Sequence, residues 1–284
     1  MIRSIILLAA AGLAAPTLAQ SAPADTQLPD PAATARKDSL TIGVGAGLVP
    51  DYEGSNDYRL IPAGAIRGQV SGIAFSTKGT YLYVDVIPRG AGKLDLDFGP
   101  IVGVRPNRTG HVKDDVVNLL PRRKTAIEVG GFGGISFHGV TNPYDTLSLH
   151  VDLVHDVGSA HQSTTISPEV SFATPLSHST YASMSLGTEF VSNKYADYYY
   201  SITPADSVAT GGVLPVFNAG GGIKHWKASL LLNQSLSGDL LHGLSVFGIA
   251  SYSRLLGDFK RSPIVSERGS ANQWIGAVGL AYTF

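Results

Sequence analysis

Apolar and polar residues alternate with a period of two along much of the chain, and this pattern constrains the fold more than any other feature. In the stretch 147–153 every odd-numbered residue is Leu or Val, and the residues between them are Ser, His and Asp. Similar alternation occurs at 93–105, 166–172 and 182–190. Successive side chains of a β-strand point to opposite faces, so each segment is predicted to be a strand with one apolar and one polar face. The sequence therefore predicts an all-β protein.

The final stretch favours a membrane barrel over a soluble sandwich. One of its faces carries Trp274, Gly276, Val278, Leu280, Tyr282 and Phe284. Residues of the other face are mostly small or polar. An apolar face with aromatic residues at both ends suits a lipid layer and its two interfaces. Unpaired backbone groups are costly in lipid, so the sheet must close. We therefore expect a closed antiparallel transmembrane β-barrel.

Composition narrows the function classes. Charged residues make up 15% of the chain, against about 25% in typical soluble domains. The net charge of −1 gives no reason to expect a nucleic-acid partner. The chain has no cysteine, which excludes disulfides, thiolate metal sites and a lipid anchor on Cys. No segment after the N-terminus is apolar over about 18 residues, so no transmembrane helix is predicted there.

The N-terminus has the pattern of a secretory signal peptide. Arg3 precedes an apolar stretch, 5–15, and a small-x-small cleavage site at 17–19. We expect residues 1–19 to be the signal peptide and 20–37, rich in Ala, Pro and Asp, to be a flexible periplasmic N-terminus. Residues 38–284 are then the outer-membrane barrel.

Twelve strands are predicted, an even number as single-chain bacterial barrels have, with ten or fourteen as alternatives. The predicted strands are 39–48, 61–68, 70–77, 80–88, 93–106, 125–138, 144–156, 163–173, 180–192, 212–235, 243–254 and 272–284. The second and third of these could be one long strand, and 212–235 could be two. Both ends of the barrel then lie on the periplasmic side, and the long connections 49–60, 107–124, 193–211 and 255–271 lie outside.

Glycine clusters are the first candidates for chemistry. The triplet Gly43, Gly45 and Gly47 and the cluster at 130–134 loosely resemble phosphate-binding loops. Such a loop must open a helix, and neither cluster does. In a barrel, glycine relieves crowding where strands bend strongly, and we favour that interpretation.

Histidines beside carboxylates are the second candidates. Ser148, His150 and Asp152 share one strand face, but residues two apart on a strand seldom meet as nucleophile and base. His155, Asp156 and His161 do not have a known metal-ligand spacing. We expect all of them to be polar residues of the barrel. No catalytic, cofactor-binding or metal-binding residue is predicted, and the protein is expected not to be an enzyme.

Two outer segments could contact other molecules. The basic cluster 122–124 is expected to be a solvated loop end, with contact to lipopolysaccharide phosphates as the alternative. Tyr195, Tyr198, Tyr199 and Tyr200 are expected to form an interfacial belt, with a carbohydrate-stacking surface as the alternative.

The alternation also predicts charges inside the barrel, since a carboxylate facing lipid carries a large penalty. The predicted inner acids are Asp95, Asp97, Glu128, Asp152, Glu169 and Glu189. Arg105 and His150 are the predicted counter-charges, with Arg67 and Arg254 as further candidates. We expect a charge-plugged lumen rather than an open pore, and cation preference if the barrel conducts.

Four motifs resemble those of the MipA/OmpV family. The segment 50–58, Pro-Asp-Tyr-Glu-Gly-Ser-Asn-Asp-Tyr, follows the glycine-rich strand and resembles the family's opening signature. Residues 199–204 resemble its Tyr-Tyr-Gly-Val-Ser stretch, with Tyr200 and Ser201 departing from it. Residues 252–258 and 262–265, followed by the aromatic-ended last strand, resemble its C-terminal motifs.

This resemblance implies an outer-membrane β-barrel in the bacterial cell envelope. The family's MltA-interacting member is a scaffold that brings together a lytic transglycosylase and a peptidoglycan synthase. The resemblance therefore implies a non-enzymatic scaffold for periplasmic murein hydrolase and synthase, with a small-solute channel or uptake protein as the alternative. It also implies contact with outer-membrane lipid and lipopolysaccharide, and with the barrel assembly machinery through the C-terminal strand. No cofactor is implied.

Overall fold

The chain folds into a closed antiparallel barrel of twelve strands, as predicted, in which each strand pairs with its sequence neighbours and the last pairs with the first. The computed structural model describes residues 38–88 and 92–284. The predicted signal peptide and the segment 20–37 lie outside the described residues. The strands are β1 Ser39–Pro50, β2 Tyr58–Val70, β3 Ile73–Lys78, β4 Tyr81–Asp85, β5 Leu94–Arg105, β6 Ala126–His138, β7 Thr146–Asp156, β8 Thr164–Pro175, β9 Thr180–Val191, β10 Gly222–Ser235, β11 Gly243–Leu255 and β12 Asn272–Thr283.

The uncertain strand boundaries are resolved by turns. Ser71 and Gly72 have φ angles of 51° and 85°, and they make β2 and β3 two strands rather than one. The prediction that a strand begins at 212 was wrong, because β10 begins at Gly222. Gly212 has a φ of 79° and belongs to the long connection before β10. Left-handed backbone of this kind ends a strand, and glycine adopts it without a steric penalty.

The β1–β12 seam closes the barrel, and glycines allow it to close. Gly45 of β1 faces Gly279 of β12 in the pairing register. A Cβ added at Gly45 would lie 2.1 Å from the carbonyl oxygen of Val278, so no other residue fits there without a shift. All three 43–47 glycines are therefore strand residues, as the sequence favoured, and they do not open a helix; Gly45 is the one that lies at a close backbone approach.

The outward face is apolar and has aromatic residues at both ends. Near one rim, the rings of Trp226 and Trp274 lie 5.2 and 4.8 Å from the ring of Tyr252. At the other rim, Tyr282 packs against Phe284 with 4.8 Å between ring centroids. No helix among the described residues has the length and apolarity needed to cross a membrane. The band of apolar side chains between two aromatic girdles is the surface that an outer-membrane barrel presents to lipid.

The predicted inward charges lie in the lumen, with one exception. Asp95, Glu128 and Glu189 are buried, although each lies on a strand whose alternate residues are exposed apolar side chains. Arg254 was a wrong candidate, because it is exposed and stands opposite Trp226 on the outward face. The alternation of β11 sends its neighbour Leu255 inward instead, where it is buried.

The outer connections fold into helices instead of extending into solvent. A 3-10 helix spans Val117–Leu119 in the β5–β6 connection. The β9–β10 connection contains α1 Asn193–Tyr200 and α2 Pro204–Ala209. The β11–β12 connection contains α3 Gly257–Arg261 and α4 Pro263–Ser266. Together with the β1–β2 connection 51–57, these segments form what we call the cap.

The strand register can be tested by placing a charge on each face of β7. Leu149 is 50% exposed on the outward face, and the neighbouring His150 points into the lumen. Leu149→Arg is expected to destabilise the barrel by about 2–4 kcal/mol, the cost of an arginine near the bilayer midplane. His150→Arg should cost much less, because it faces the lumen, where the carboxylates of Glu169 and Asp152 offset the nearby ammonium of Lys78. Unfolding by denaturant in lipid vesicles measures both, and equal costs would contradict the register.

Candidate functional site: the capped lumen

Two of the cap helices, α1 and α2, begin after residues whose side chains accept hydrogen bonds from the free amides of the helix N-terminus. Ser192 precedes α1 and accepts a hydrogen bond from the Tyr195 amide at 3.3 Å. Thr203 precedes α2 in a capping box, in which Thr203 and Asp206 bind each other's backbone amides. Such caps typically stabilise a helix by about 1 kcal/mol. Both helices can therefore form in the β9–β10 connection, although they are too short to be stable alone.

The cap has a hydrophobic core of its own. Its buried side chains come from all four of its segments, and they include Tyr52, Val117, Leu120, Tyr195, Tyr199, Tyr200, Ile202, Leu214, Phe259, Ile264 and Val265. The Tyr200 ring meets the Phe259 ring edge-on at 5.1 Å. Tyr52 donates a hydrogen bond to the carbonyl of Ile264 at 3.1 Å. These contacts join separate connections into one folded unit over the outer mouth of the barrel.

Directly beneath the cap, Arg105 links acids from two strands. Its Nε lies 3.0 Å from Oε1 of Glu128, and its Nη2 lies 2.9 Å from Oε1 of Glu189. Glu128 also contacts Nε2 of His161 at 2.9 Å and accepts a hydrogen bond from Tyr81. Bidentate and charge-assisted hydrogen bonds of this kind are the strong ones in proteins. Arg105 therefore ties β5, β6 and β9 together across the lumen.

Lys224 connects the same network to the cap. Its ammonium is fully buried, contacts Glu189, and lies 2.7 Å from Oε1 of Glu53 in the β1–β2 connection. The Tyr195 hydroxyl lies 3.0 Å from the same ammonium and donates to Glu53 at 3.1 Å. Burial opposes ionisation of Glu53, but attraction from Lys224 and Arg105 outweighs it and lowers the pKa of Glu53. We call Glu53, Arg105, Glu128, Glu189, Tyr195 and Lys224 the plug.

Two plug residues and the neighbouring His225 form the one cluster of possible metal ligands that the described residues bring together. Glu53, Glu189 and His225 each offer a ligand atom, and these atoms lie within 4.8 Å of one another. The ammonium of Lys224 already contacts both carboxylates and supplies the positive charge there. The donor set therefore fits an internal ion pair, and no metal site is proposed.

A second charged cluster occupies the middle of the lumen. Glu169 lies 3.6 Å from Lys78, 3.5 Å from Lys227 and 3.5 Å from His150. Tyr83 donates a hydrogen bond to Asp152 at 2.7 Å. The side chains of both lysines remain 40% exposed, so this part of the lumen is less densely filled than the plug.

The structure separates the histidine candidates. Within the described residues, the Ser148 hydroxyl is hydrogen-bonded to Ser136 at 2.9 Å rather than to His150, whose Nε2 lies 2.8 Å from Lys78. His155 contacts Thr164 on the strand wall. These groups bind neighbouring strands and do not meet as a nucleophile and base.

Asp156 and His161 have separate structural roles near the plug. The Asp156 carboxylate accepts hydrogen bonds from four backbone amides at 2.9–3.2 Å and shapes the β7–β8 turn. His161 contacts Ser163 and Glu128 instead. The pair therefore does not converge on one point as metal ligands would.

The expectation for the tyrosines was wrong. Tyr195, Tyr199 and Tyr200 are buried in the cap core and do not form an interfacial belt. The reason is that they lie on α1, where residues four apart share one face: Tyr195 lies beside Tyr199, and the buried Ala196 lies beside Tyr200. In the basic cluster, Arg122 and Lys124 are exposed, as expected of a loop end. Arg123 is only partly exposed, with its guanidinium 5.0 Å from the centre of the Tyr198 ring.

Sequence reasoning missed Lys224 and Glu53. The β9–β10 register shifts between Ile223 and His225, and this irregularity turns Lys224 inward out of the strict alternation. A β-bulge inserts an extra residue into a strand and changes the direction in which a side chain points. A pattern with a period of two cannot predict such a change. The signal for Glu53 was present, because it lies in the 50–58 motif, but only the folded cap places it over the lumen.

Comparison with known proteins gives one family and a set of distant barrels. The family described as MltA-interacting protein MipA matches residues 42–284. No curated protein matches the sequence. Among solved structures, the NanC porin is similar at 7% identity with a TM-score of 0.46, covering 86% of this chain and 98% of the porin. An outer-membrane channel from Pseudomonas putida F1 has 10% identity and a TM-score of 0.44, covering 93% of this chain and 100% of that one.

The plug can be tested by removing its buried cation. Lys224→Met is expected to destabilise the protein by about 3–5 kcal/mol, because it leaves carboxylates buried without a partner. Lys227→Met is the matched control, since Lys227 is partly exposed in the lumen and its loss should have a small effect. The measurement is the thermal unfolding of the purified barrel in detergent. Equal midpoints for the two variants would contradict a plug held by Lys224.

Proposed function

The chain belongs to the MltA-interacting protein MipA family, and from that premise we propose that it is a non-enzymatic scaffold for murein-remodelling enzymes. The protein is an outer-membrane β-barrel. Its proposed partners are a periplasmic lytic transglycosylase and a peptidoglycan synthase, which it would hold near the membrane in which it is anchored. Outer-membrane lipid, lipopolysaccharide and the barrel assembly machinery are its further proposed partners.

The closed outer mouth is the observation that carries this proposal. The cap core and the plug fill the outer end of the lumen with packed rings and paired charges. A solute would have to break several buried ion pairs to pass, and such pairs are costly to separate. A barrel closed in this way is better suited to present a surface than to conduct.

The periplasmic turns offer such a surface. Val140, Leu176 and Leu236 are 52%, 62% and 57% exposed, and they lie on three successive inner turns. The first turn is well ordered by Asp145, which accepts hydrogen bonds from the amides of residues 140–142 at 2.6–2.9 Å. Exposed apolar side chains on rigid turns provide anchors that a partner protein can bury.

A small-solute channel is the second candidate. It is favoured by the partly exposed side chains of Lys78 and Lys227, since the lumen below the plug is less densely filled than the plug itself. In this interpretation the cap is a gate, and the plug would have to open for transport. The two candidates differ in whether the resting barrel conducts.

Two measurements on the purified full chain separate the candidates. In planar bilayers, the wild-type barrel is expected to show no stable conductance, because the plug closes the lumen. Immobilised protein is expected to capture purified lytic transglycosylase and peptidoglycan synthase. Steady conductance without capture of either enzyme would overturn the scaffold proposal in favour of the channel.

A triple substitution tests the docking surface. Replacing Val140, Leu176 and Leu236 by Asn should reduce enzyme capture by about 10-fold or more, since interface anchors typically contribute over 1 kcal/mol each. Val208→Asn is the control, because Val208 is 81% exposed but lies on the cap at the opposite end. Unchanged capture by the triple variant would show that the inner turns are not the docking surface.

A further inference from the structure

Arg108 is a buried cation of the cap that has no counter-ion among the residues the structure describes. Arg108 lies in the β5–β6 connection and is only 5% exposed. Within the described residues, Nε, Nη1 and Nη2 of Arg108 all lack a hydrogen-bond partner. A guanidinium carries five N–H donors and stays charged in proteins. Burying such a group unpaired is strongly unfavourable, so an anion is needed at this place.

The surrounding residues do not supply that anion. Arg123 is the charged residue that acts most strongly on Arg108, and it repels. Asp206 is the acid that attracts it, but Oδ2 of Asp206 accepts hydrogen bonds from the amide and hydroxyl of Thr203 at 3.0 and 2.8 Å. Burial and the charge of Arg123 lower the pKa of Arg108 to about 10. Arg108 therefore keeps its charge at neutral pH.

Arg123 provides one further unused donor close to Arg108. Its backbone amide donates to the Arg108 carbonyl at 2.9 Å, which fixes the two residues together. Nε of Arg123 also lacks a hydrogen-bond partner among the described residues. Arg122 and Lys124 flank it and are exposed on the outer surface. The positive charge therefore extends from the buried Arg108 to the cell exterior.

The backbone of Arg108 itself is in a strained conformation. Its φ is 53°, a left-handed conformation that residues other than glycine adopt at an energetic cost. Such conformations persist where the surrounding structure fixes them, and they are common at ligand-binding sites. Here the strain accompanies a side chain that the fold keeps inside the cap.

We propose that Arg108 and Arg123 form a binding site for a phosphate group in the outer cap. Phosphate suits the pair because its oxygens can accept hydrogen bonds from two guanidinium groups at once, often in bidentate geometry. The group can come from two sources, a phosphorylated sugar of lipopolysaccharide in the same leaflet or a free phosphate in the medium. Either one would neutralise the buried charge.

The experiment measures the thermal midpoint of the full-length protein, refolded in detergent in buffer without phosphate. Inorganic phosphate, lipopolysaccharide and dephosphorylated lipopolysaccharide are then added separately, with chloride at matched ionic strength as the salt control. A ligand that binds only the folded state raises the midpoint with its concentration. We expect a rise with phosphate or with intact lipopolysaccharide, and none with chloride or the dephosphorylated lipid.

Substitutions test whether Arg108 and Arg123 cause the rise in thermal midpoint. Arg108→Gln should weaken binding by about 10-fold or more, because a charge-assisted hydrogen bond is lost. It should also unfold no earlier than the wild type without ligand, since it removes an unpaired buried charge. Arg122→Gln, which changes an exposed neighbour, should keep the response. If Arg108→Gln does not fold, Arg123→Gln at the partly exposed position carries the same test.

The outcomes identify the source of the bound phosphate group and show which result would overturn the proposal. A response to free phosphate and to intact lipopolysaccharide supports a general phosphate site, and a response to the intact lipid alone supports the lipid as the source. No response of the wild type to either, or an unchanged response in both arginine variants, would overturn the proposal. These results do not depend on whether the barrel binds murein enzymes.

Discussion

Every backbone N–H and C=O group within a lipid bilayer must find its hydrogen-bond partner inside the protein, and the rest of this structure depends on that requirement. The β1–β12 seam meets it by pairing residues 41–48 with 276–283, so that the sheet has no free edge in lipid. The seam in turn requires Gly45 opposite Gly279, because their backbones approach too closely for a side chain. Closure also creates an interior, and the alternation of the strands then sends their polar side chains into it.

The inward charged groups form a network inside the barrel, because facing the lipid instead would carry a large energetic penalty. Arg105 and Lys224 are shared between Glu128, Glu189 and Glu53, so that cations of two strands balance acids of two strands and a loop. The cap depends on the same network, since Glu53 and Tyr195 belong to its connections. Barrel wall, plug and cap are thus one continuous structure, which is why the closed mouth is relevant to function.

The barrel and most of its lumen could be predicted from the sequence because their pattern is local. A period of two is fixed by strand geometry, so Glu128, Asp152, Glu169 and Glu189 were correctly placed inside. The plug could not be completed in this way, because the irregularity at Lys224 breaks the period. The tyrosines of α1 have the spacing of a helix face, but their burial depends on contacts with connections far away in the sequence. Arg108 gave no signal, since only tertiary packing shows that a guanidinium is buried without a partner.

The β9–β10 connection has one more consequence, for variation at the cell surface. Beyond α2 the chain turns through Gly211 and Gly212, both with positive φ and with open space around them, and the flanking Val208 and Val213 are exposed. Loop length changes stability only slowly, so a turn without packed neighbours can accept insertions. Epitopes presented to the outside can therefore diversify at this tip, or a foreign peptide can be displayed there, while the tyrosine core beneath it stays unchanged.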